Sequence, residues 1–459
     1  MMEDRSEVEL MLAKARIPEG KAPAWHAHYR GKIETSLKCA VTDLADLGIW
    51  YTPGVAAPCR EIERDPEKVF DYTNKGNCVA VVSDGSRVLG LGDIGPQAGL
   101  PVMEGKALLF KYFGGVGAFP VMLDTHETDE IVQAVKWIAP GFGGINLEDF
   151  ASPKCFTILD RLREELDIPV WHDDQQGTAA ITLAGILNAL RLVGKELTKA
   201  RFALIGAGAA NIALVRVLLR AGVPADNVTM ADSKGILSPN REDLESNRQS
   251  FPEKWEYALL TNSAGRTGSV RAAIEGSDVL VSASVPGPRT FDPVVLQGMN
   301  SDAIAFFMAN PIPEVWPWEA EEAGVRIIGT GRSDFPNQIN NSIGFPGIFR
   351  GTLDVCATTI TDEMAIAAAY SIADTAGKRG INEKYIVPSM METEVFVDEA
   401  VAVGRKAIDQ GIARRVVPEG QLRREAERTI RHAQEEAALL VREGHIPLPP
   451  DEGKLGSDS

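Results

Sequence analysis

The sequence predicts an α/β protein built from an N-terminal α/β unit, a doubly wound parallel sheet and a set of C-terminal helices. Short apolar runs recur between residues 79 and 328, separated by helix-sized intervals, the pattern of parallel strands covered on both faces. A glycine-rich turn, GAGAAN at 206–211, falls between one such run and a helical stretch, as in sheets that bind a dinucleotide. After about residue 356 the strand pattern gives way to helical periodicity.

Taken in order, the first thirty residues or so read as a helix and a connector, broken at PEGKAPAW. Residues 79–82 form a buried strand ending in Ser83-Asp84-Gly85, residues 119–124 a second and residues 168–171 a third. A helix starts at Thr128-Asp129-Glu130 between the last two. Residues 178–193 are a helix with Thr178 as its cap, Ile181, Ile186, Leu187 and Leu190 on one face and Gly194 as its stop. The second unit has strands at 202–205, 228–231, 279–281, 303–307 and 325–328. From 420 to 443, Leu422, Ala426, Ile430, Ala433, Ala437 and Val441 make one apolar stripe on a charged helix. A chain of 459 residues exceeds one ordinary core. The expected division is 1–175, then a Rossmann-type unit at 176–355, a helical segment at 356–445 that packs back or makes subunit contacts, and a disordered tail at 446–459.

Composition excludes several functions. A formal charge of −17 opposes nucleic-acid binding, and it also opposes long-range capture of an anionic substrate, which then needs local cations. Five scattered cysteines without a CxxC pair suggest reduced thiols, neither a zinc site nor a disulfide framework. No apolar run approaches a membrane span and the first residues begin acidic, so the expected location is the cytoplasm.

Two acidic pairs, Glu148-Asp149 in GGINLEDF and Asp173-Asp174 in PVWHDDQQGTAA, follow apolar runs and sit upstream of the glycine-rich turn. Each alone reads as a helix start or a solvated turn; together, at strand ends, they suit a hard divalent cation such as Mg²⁺ or Mn²⁺. In the turn, Gly206 and Gly208 suit close approach to a pyrophosphate at a helix N-terminus formed by Ala209 and Ala210, while Asn211 stands where a third glycine is usual. Asp232, at the end of the next strand, suits the ribose hydroxyls of NAD, and Ser233-Lys234 equally suits the extra phosphate of NADP. Lys106 in PVMEGKALLFK is either a surface lysine or a general base whose pKa burial and a nearby metal lower. Tyr51 before Pro53-Gly54 is a proton donor or a packing residue, and Arg87 a carboxylate clamp or an exposed side chain. Asn310 in ANP and Asn341 in NQINN sit where asparagine commonly forms turns.

Together YTPGVAAPC, VVSDGSRVLGLGDIGP, PVMEGKALLFK, GGINLEDF, HDDQQGTAA, GAGAAN, MANPIPEV and GTGRSDFPNQINNSIGFPGIFRG resemble, in order, the malic enzymes, NAD(P)-dependent oxidative decarboxylases of malate, in their compact form. The resemblance implies Tyr51 as general acid, Lys106 as general base and Asp173 as the acid that positions the lysine. It implies Glu148, Asp149 and Asp174 as ligands of Mg²⁺ or Mn²⁺, with Asn310 and Asn341 on the substrate side and Asn310 also beside the cofactor. It further implies a homodimer or homotetramer. Gln176, Arg87, Gly117 and Asn211 depart from the compact family pattern, and Asn211 bears on cofactor affinity. The implied chemistry is loss of the C2 hydroxyl proton to Lys106, hydride transfer, decarboxylation and protonation at C3 by Tyr51. The alternatives are a redox-neutral malolactic enzyme, a non-catalytic dinucleotide sensor, and a metal-free dehydrogenase with a histidine base, for which His172 beside Asp173 reads as a strand-end residue instead.

Overall fold

The computed structural model describes residues 17–287 and 290–450. Residues 17–29 form helix α1, so PEGKAPAW lies inside a helix and is not a break. The helix runs through both Pro18 and Pro23. Helix α2 (Leu44–Trp50) is capped by Asp43 and buries none of its residues.

The first sheet contains β1 (Cys78–Ser83), β2 (Gly117–Met122), β3 (Gly144–Leu147) and β4 (Val170–His172), all parallel and in the order β2-β1-β3-β4. Helices α3 (Gly95–Gly114), α4 (Thr128–Ile138) and α5 (Lys154–Glu165) connect its strands. The sequence reading missed β3, whose apolar run is interrupted by Asn146. The chain leaves β1 toward β2 and returns to the other side of β1, so a crevice opens beyond the ends of β1 and β3.

A π-helical turn, Asp173–Gly177, leads from β4 into α6 (Thr178–Val193). Thr178 is therefore not a cap: its N–H bonds back to the Asp173 carbonyl, and its own carbonyl accepts from the Thr182 hydroxyl. Gly194, with φ +67°, does end the helix. The stretch Asp173–Val193 is long and apolar enough to cross a membrane, against the expectation that no run is, but 78% of that window is buried inside the protein. It is a core helix, with every residue from Ala179 to Leu190 buried.

The second sheet has the order β10-β9-β8-β5-β6-β7. Its strands are β5 (Phe202–Ile205), β6 (Val228–Asp232), β7 (Gly235–Ile236), β8 (Val279–Ser282), β9 (Ile304–Phe307) and β10 (Ile327–Thr330), parallel except for the two-residue β7. The reversal between β5 and β8 places a second crevice beyond Gly206, where α7 (Ala209–Arg220) begins. Helices α8 (Phe345–Asp354), α9 (Asp362–Arg379), α10 (Glu394–Asp409) and α11 (Glu419–Arg442) complete the chain. On α11 the expected stripe is buried at Leu422, Ala426, Ile430 and Ala433 against the chain's own helices, while Val441 is exposed. Of the tail expected to be disordered, residues 446–450 carry no regular structure and 451–459 lie outside the described residues. The five cysteines are free thiols.

Helices α8 and α10 meet at Gly351, where a Cβ would overlap the carbonyl of Ala400. Gly351→Ala should therefore destabilise the protein by about 1–3 kcal/mol, the usual result of overpacking a rigid contact. Denaturant unfolding measures it, and an unchanged midpoint would show that the helices separate freely.

Candidate active site

Lys106 lies on the buried side of α3 with Met103, Ala107 and Phe110, spacings of three and four that share one helix face. Its ammonium is 7% exposed. Nζ is 2.5 Å from Asp173 Oδ2, 2.9 Å from Glu148 Oε1 and 4.3 Å from the Phe345 ring centroid. Asp173 Oδ1 accepts from the Trp171 indole at 2.9 Å, and Glu148 Oε2 from the Asn146 amide at 2.9 Å. Alternation along β3 and β4 explains the partners, since residues two apart project to one side. That period was the available signal for Asn146 and Trp171, which the sequence reading missed.

Asp149 adopts φ +57°, a left-handed conformation uncommon outside glycine. In this conformation its N–H donates to Asp174 Oδ2 at 2.9 Å and its carbonyl accepts from the Arg87 N–H at 2.9 Å. Its Oδ2 is buried without a partner. Four carboxyls thus cluster around one ammonium. Burial, then the neighbouring acids, push Glu148 well above the ordinary range, and burial and Asp174 push Asp149 up to about 8. Burial also raises Asp173, against the pull of Lys106.

Burial alone would lower the lysine, but Asp173 and Glu148 outweigh it, and Lys106 is held charged, above its ordinary value. The depressed lysine expected from the sequence is one beside a bound metal. A divalent cation among the carboxylates would oppose that hold, and the donor set and the orphaned Asp149 oxygen fit one in kind. Among the described residues, however, no three carboxylate or imidazole groups already converge as they would around an ion.

His172 ends β4 with no exposure, both ring nitrogens unpartnered and its pKa lowered by burial to about 4; it is a neutral interior residue. Gln176 is structural, its side-chain oxygen accepting from the His172 N–H at 3.0 Å. Gly117 opens β2 opposite Cys78.

The second unit reaches this cluster through close contacts. A Cβ on Gly90, in the loop after Arg87, would lie 2.5 Å from the Asn310 carbonyl, and one on Gly177 would lie 3.2 Å from Asn341 Cβ. Asn310 and Asn341 are therefore brought to the loops of the first sheet. Arg87 keeps an exposed guanidinium near the Leu89 carbonyl, at 3.4 Å. Tyr51 is not brought in: its side chain is 74% exposed, and its hydroxyl has no hydrogen-bond partner among the described residues.

In the nucleotide crevice, Gly206 has φ +95° and packs against the Ala283 carbonyl, which leaves no room for a Cβ. Gly208 precedes the first turn of α7, which holds Ala209 and Ala210. The Asn211 amide points inward and donates to the carbonyls of Ile205 and Gly206 at 2.9 Å each. It ties the turn to the strand end, so the departure from glycine is a packing solution away from the pyrophosphate position. Asp232 accepts from Arg241 at 2.7 and 3.2 Å and lies 3.5 Å from Lys254. Burial raises this carboxyl, but Arg241 and the Lys234 amide prevail and hold it below its ordinary value. Arg241 was missed because nothing in its local sequence marks it. Glu314, also missed, is buried and accepts from the Ser284 and Ala309 N–H groups, joining two loops of the crevice.

A family model described as "Malic enzyme, N-terminal domain" matches residues 30–163, and one described as "Malic enzyme, NAD binding domain" matches 175–323 and 323–408. The chain is 51% identical over 388 residues to the NAD-dependent malic enzyme of Geobacillus stearothermophilus, covering 84% of this chain and 79% of the relative. It is 48% identical over 393 residues to the bifunctional malic/malolactic enzyme of Bacillus subtilis (strain 168), covering 85% and 94%. Among solved structures, the malic enzyme of Entamoeba histolytica superposes with a TM-score of 0.92 at 44% identity, covering 98% of this chain and 93% of the other.

The raised carboxyl of Asp149 gives a pH signature. A folded-state pKa of about 8 against an ordinary 3.8 means that the folded state binds more protons between those values. Its contribution is fully present below the lower value and is lost as pH rises through the upper one. Melting temperatures measured in chelator should fall over this window, and fall less in Asp149→Asn; parallel curves would show that Asp149 titrates normally.

Proposed function

The chain belongs to the malic enzyme family, and we propose that the Lys106 cluster is where it converts L-malate to pyruvate and CO₂. The observation that carries this reading is a buried lysine gripped by two carboxylates at the strand ends of one sheet, joined to the nucleotide crevice of another. The chain is an NAD(P)-dependent malic enzyme, catalysing the oxidative decarboxylation of malate. In this reading residues 1–175 are the substrate and metal unit and 176–355 the nucleotide unit. A cytoplasmic location belongs to the same reading, supported by the free thiols Cys39 and Cys59 outside the core.

Bound nicotinamide supplies a hydride acceptor, and a bound Mg²⁺ or Mn²⁺ supplies Lewis acidity toward the C2 oxygen. Glu148, Asp149 and Asp174 would hold the cation. Lys106, in its neutral form, takes the C2 hydroxyl proton, and Asp173, itself fixed by Trp171, keeps the amine aimed. Arg87, Asn310 and Asn341 hold carboxylate oxygens of the substrate, with Asn310 also beside the cofactor. Gly206, Gly208, Ala209 and Ala210 line the pyrophosphate approach, with Asn211 bracing the turn. Asp232 offers an acceptor to ribose hydroxyls, while Arg241, Lys234 and Lys254 stand where a 2′-phosphate would need cations, an arrangement that suits NAD⁺ or NADP⁺.

Tyr51 is the proton donor to C3 in this reading, and its exposure fits action across a subunit contact. Leu44, Leu47, Ile49, Trp50 and Tyr51 form an exposed apolar surface on and beside α2, suited to burial by a second copy. A homodimer is the assembly we favour over a homotetramer.

Incubation with L-malate, Mn²⁺ and either NAD⁺ or NADP⁺ should give equal amounts of pyruvate and reduced cofactor, and Lys106→Ala should lower kcat about 10²–10⁴-fold. Lactate without net reduction would instead make it a malolactic enzyme, and no turnover would favour a sensor. Mixing Tyr51→Phe with Lys106→Ala, each inactive alone, should restore about a quarter of wild-type activity if a random heterodimer carries one intact site. No recovery would place Tyr51 in the site of its own chain.

A further inference from the structure

Helix α10 buries Val395, Phe396, Ala400, Val403 and Ala407 on one side, and Glu399 stands in the middle of that apolar face with no exposed surface. Neither of its carboxyl oxygens has a hydrogen-bond partner. Two glycines make the space for it. A Cβ on Gly347 would lie 2.5 Å from Oε2, and one on Gly344 would lie 3.8 Å from Oε1. Gly344 links the Asn341–Ile343 turn to Phe345, whose ring covers Lys106, so the carboxyl lies against the segment that completes the site.

The charge that acts on Glu399 is that of Asp173. Other charges on the surrounding helices are engaged elsewhere: Arg350 with Asp354, and Lys378 and Arg423 with Asp398. A leucine or methionine would fill such a position without desolvating a polar group. An unpaired carboxylate is not sustained there, so the group rests as the neutral acid.

We propose that Glu399 is a proton switch beside the Lys106–Asp173 pair, neutral during turnover and inhibitory when ionised. Loss of its proton sets a second negative charge near Asp173. The lysine then holds its own proton more tightly and stops serving as a base. Burial, reinforced by Asp173, raises the Glu399 carboxyl well above its ordinary range, so this ionisation comes at higher pH than that of an ordinary carboxyl.

The proposal rests on the malate-decarboxylating reading. Its test is the pH dependence of kcat for wild type and E399Q, each with Mg²⁺, L-malate and the preferred nicotinamide cofactor. Wild type should lose about tenfold per pH unit beyond the ionisation. E399Q, neutral at every pH, should keep the neutral-pH kcat and the KM for malate but lack that alkaline limb. Superimposable profiles would overturn the role of Glu399 alone, whereas no malate turnover at any pH would overturn the functional reading and this proposal with it. Should E399Q not fold, E399L carries the test: it too should keep the neutral-pH kcat and lack the alkaline limb, and a wild-type pH profile in it would overturn the proposal.

Discussion

An ammonium taken out of water is stable only where anionic oxygens replace its hydration shell, and Lys106 meets that condition through Glu148 and Asp173. Meeting it dictates much else. Glu148 must stand at the end of β3 and Asp173 at the end of β4, so two adjacent parallel strands have to finish at the same level. Trp171 and Asn146 then occupy the second oxygen of each acid, which leaves the two carboxyls little freedom to turn away. Removing the lysine would leave several buried acids facing one another, so the pair is as much a condition of folding as of chemistry.

The same cluster stands away from electrostatic balance. With more carboxyls than cations, the acids retain protons that water would remove from them, and the ammonium is gripped too firmly to act as a base. A bare cluster of this kind is a resting arrangement. In the proposed reading, positive charge delivered to the Asp149 and Asp174 side would relax the acids and loosen the lysine together, tying readiness for reaction to cation binding.

Much of this was legible in the residues. Strands rich in valine and isoleucine declared themselves because burial on both faces demands continuous apolar runs, and Gly206 did so because its backbone admits no side chain. β3 escaped because Asn146, which serves Glu148, interrupts its run. The break expected at PEGKAPAW is absent, since the helix runs through both of its prolines. The cap expected at Thr178 is absent because the sequence does not betray the π turn at Asp173–Gly177, in which the helix is already under way. The whole of α6 also shows that apolar length alone does not separate a core helix from a membrane span. Lys106 and the acids were legible by motif, whereas Glu314 and Glu399 join the picture only through contacts across the fold, and Arg241 only through the turn that sets it against Asp232. Tyr51 marks the opposite limit, since a single chain leaves its side chain in the open.

The π turn has an evolutionary consequence. It holds one residue more than a regular α-helix needs between His172 and Thr178, and that surplus aims Asp173 at the lysine while Asp174 meets the Asp149 N–H. Deleting a residue here would heal the helix but swing one aspartate by about 100° relative to its present bearing. Selection for a sturdier backbone alone would erase such an irregularity, so a π turn kept at this place in relatives would record selection on the bearing of the two aspartates.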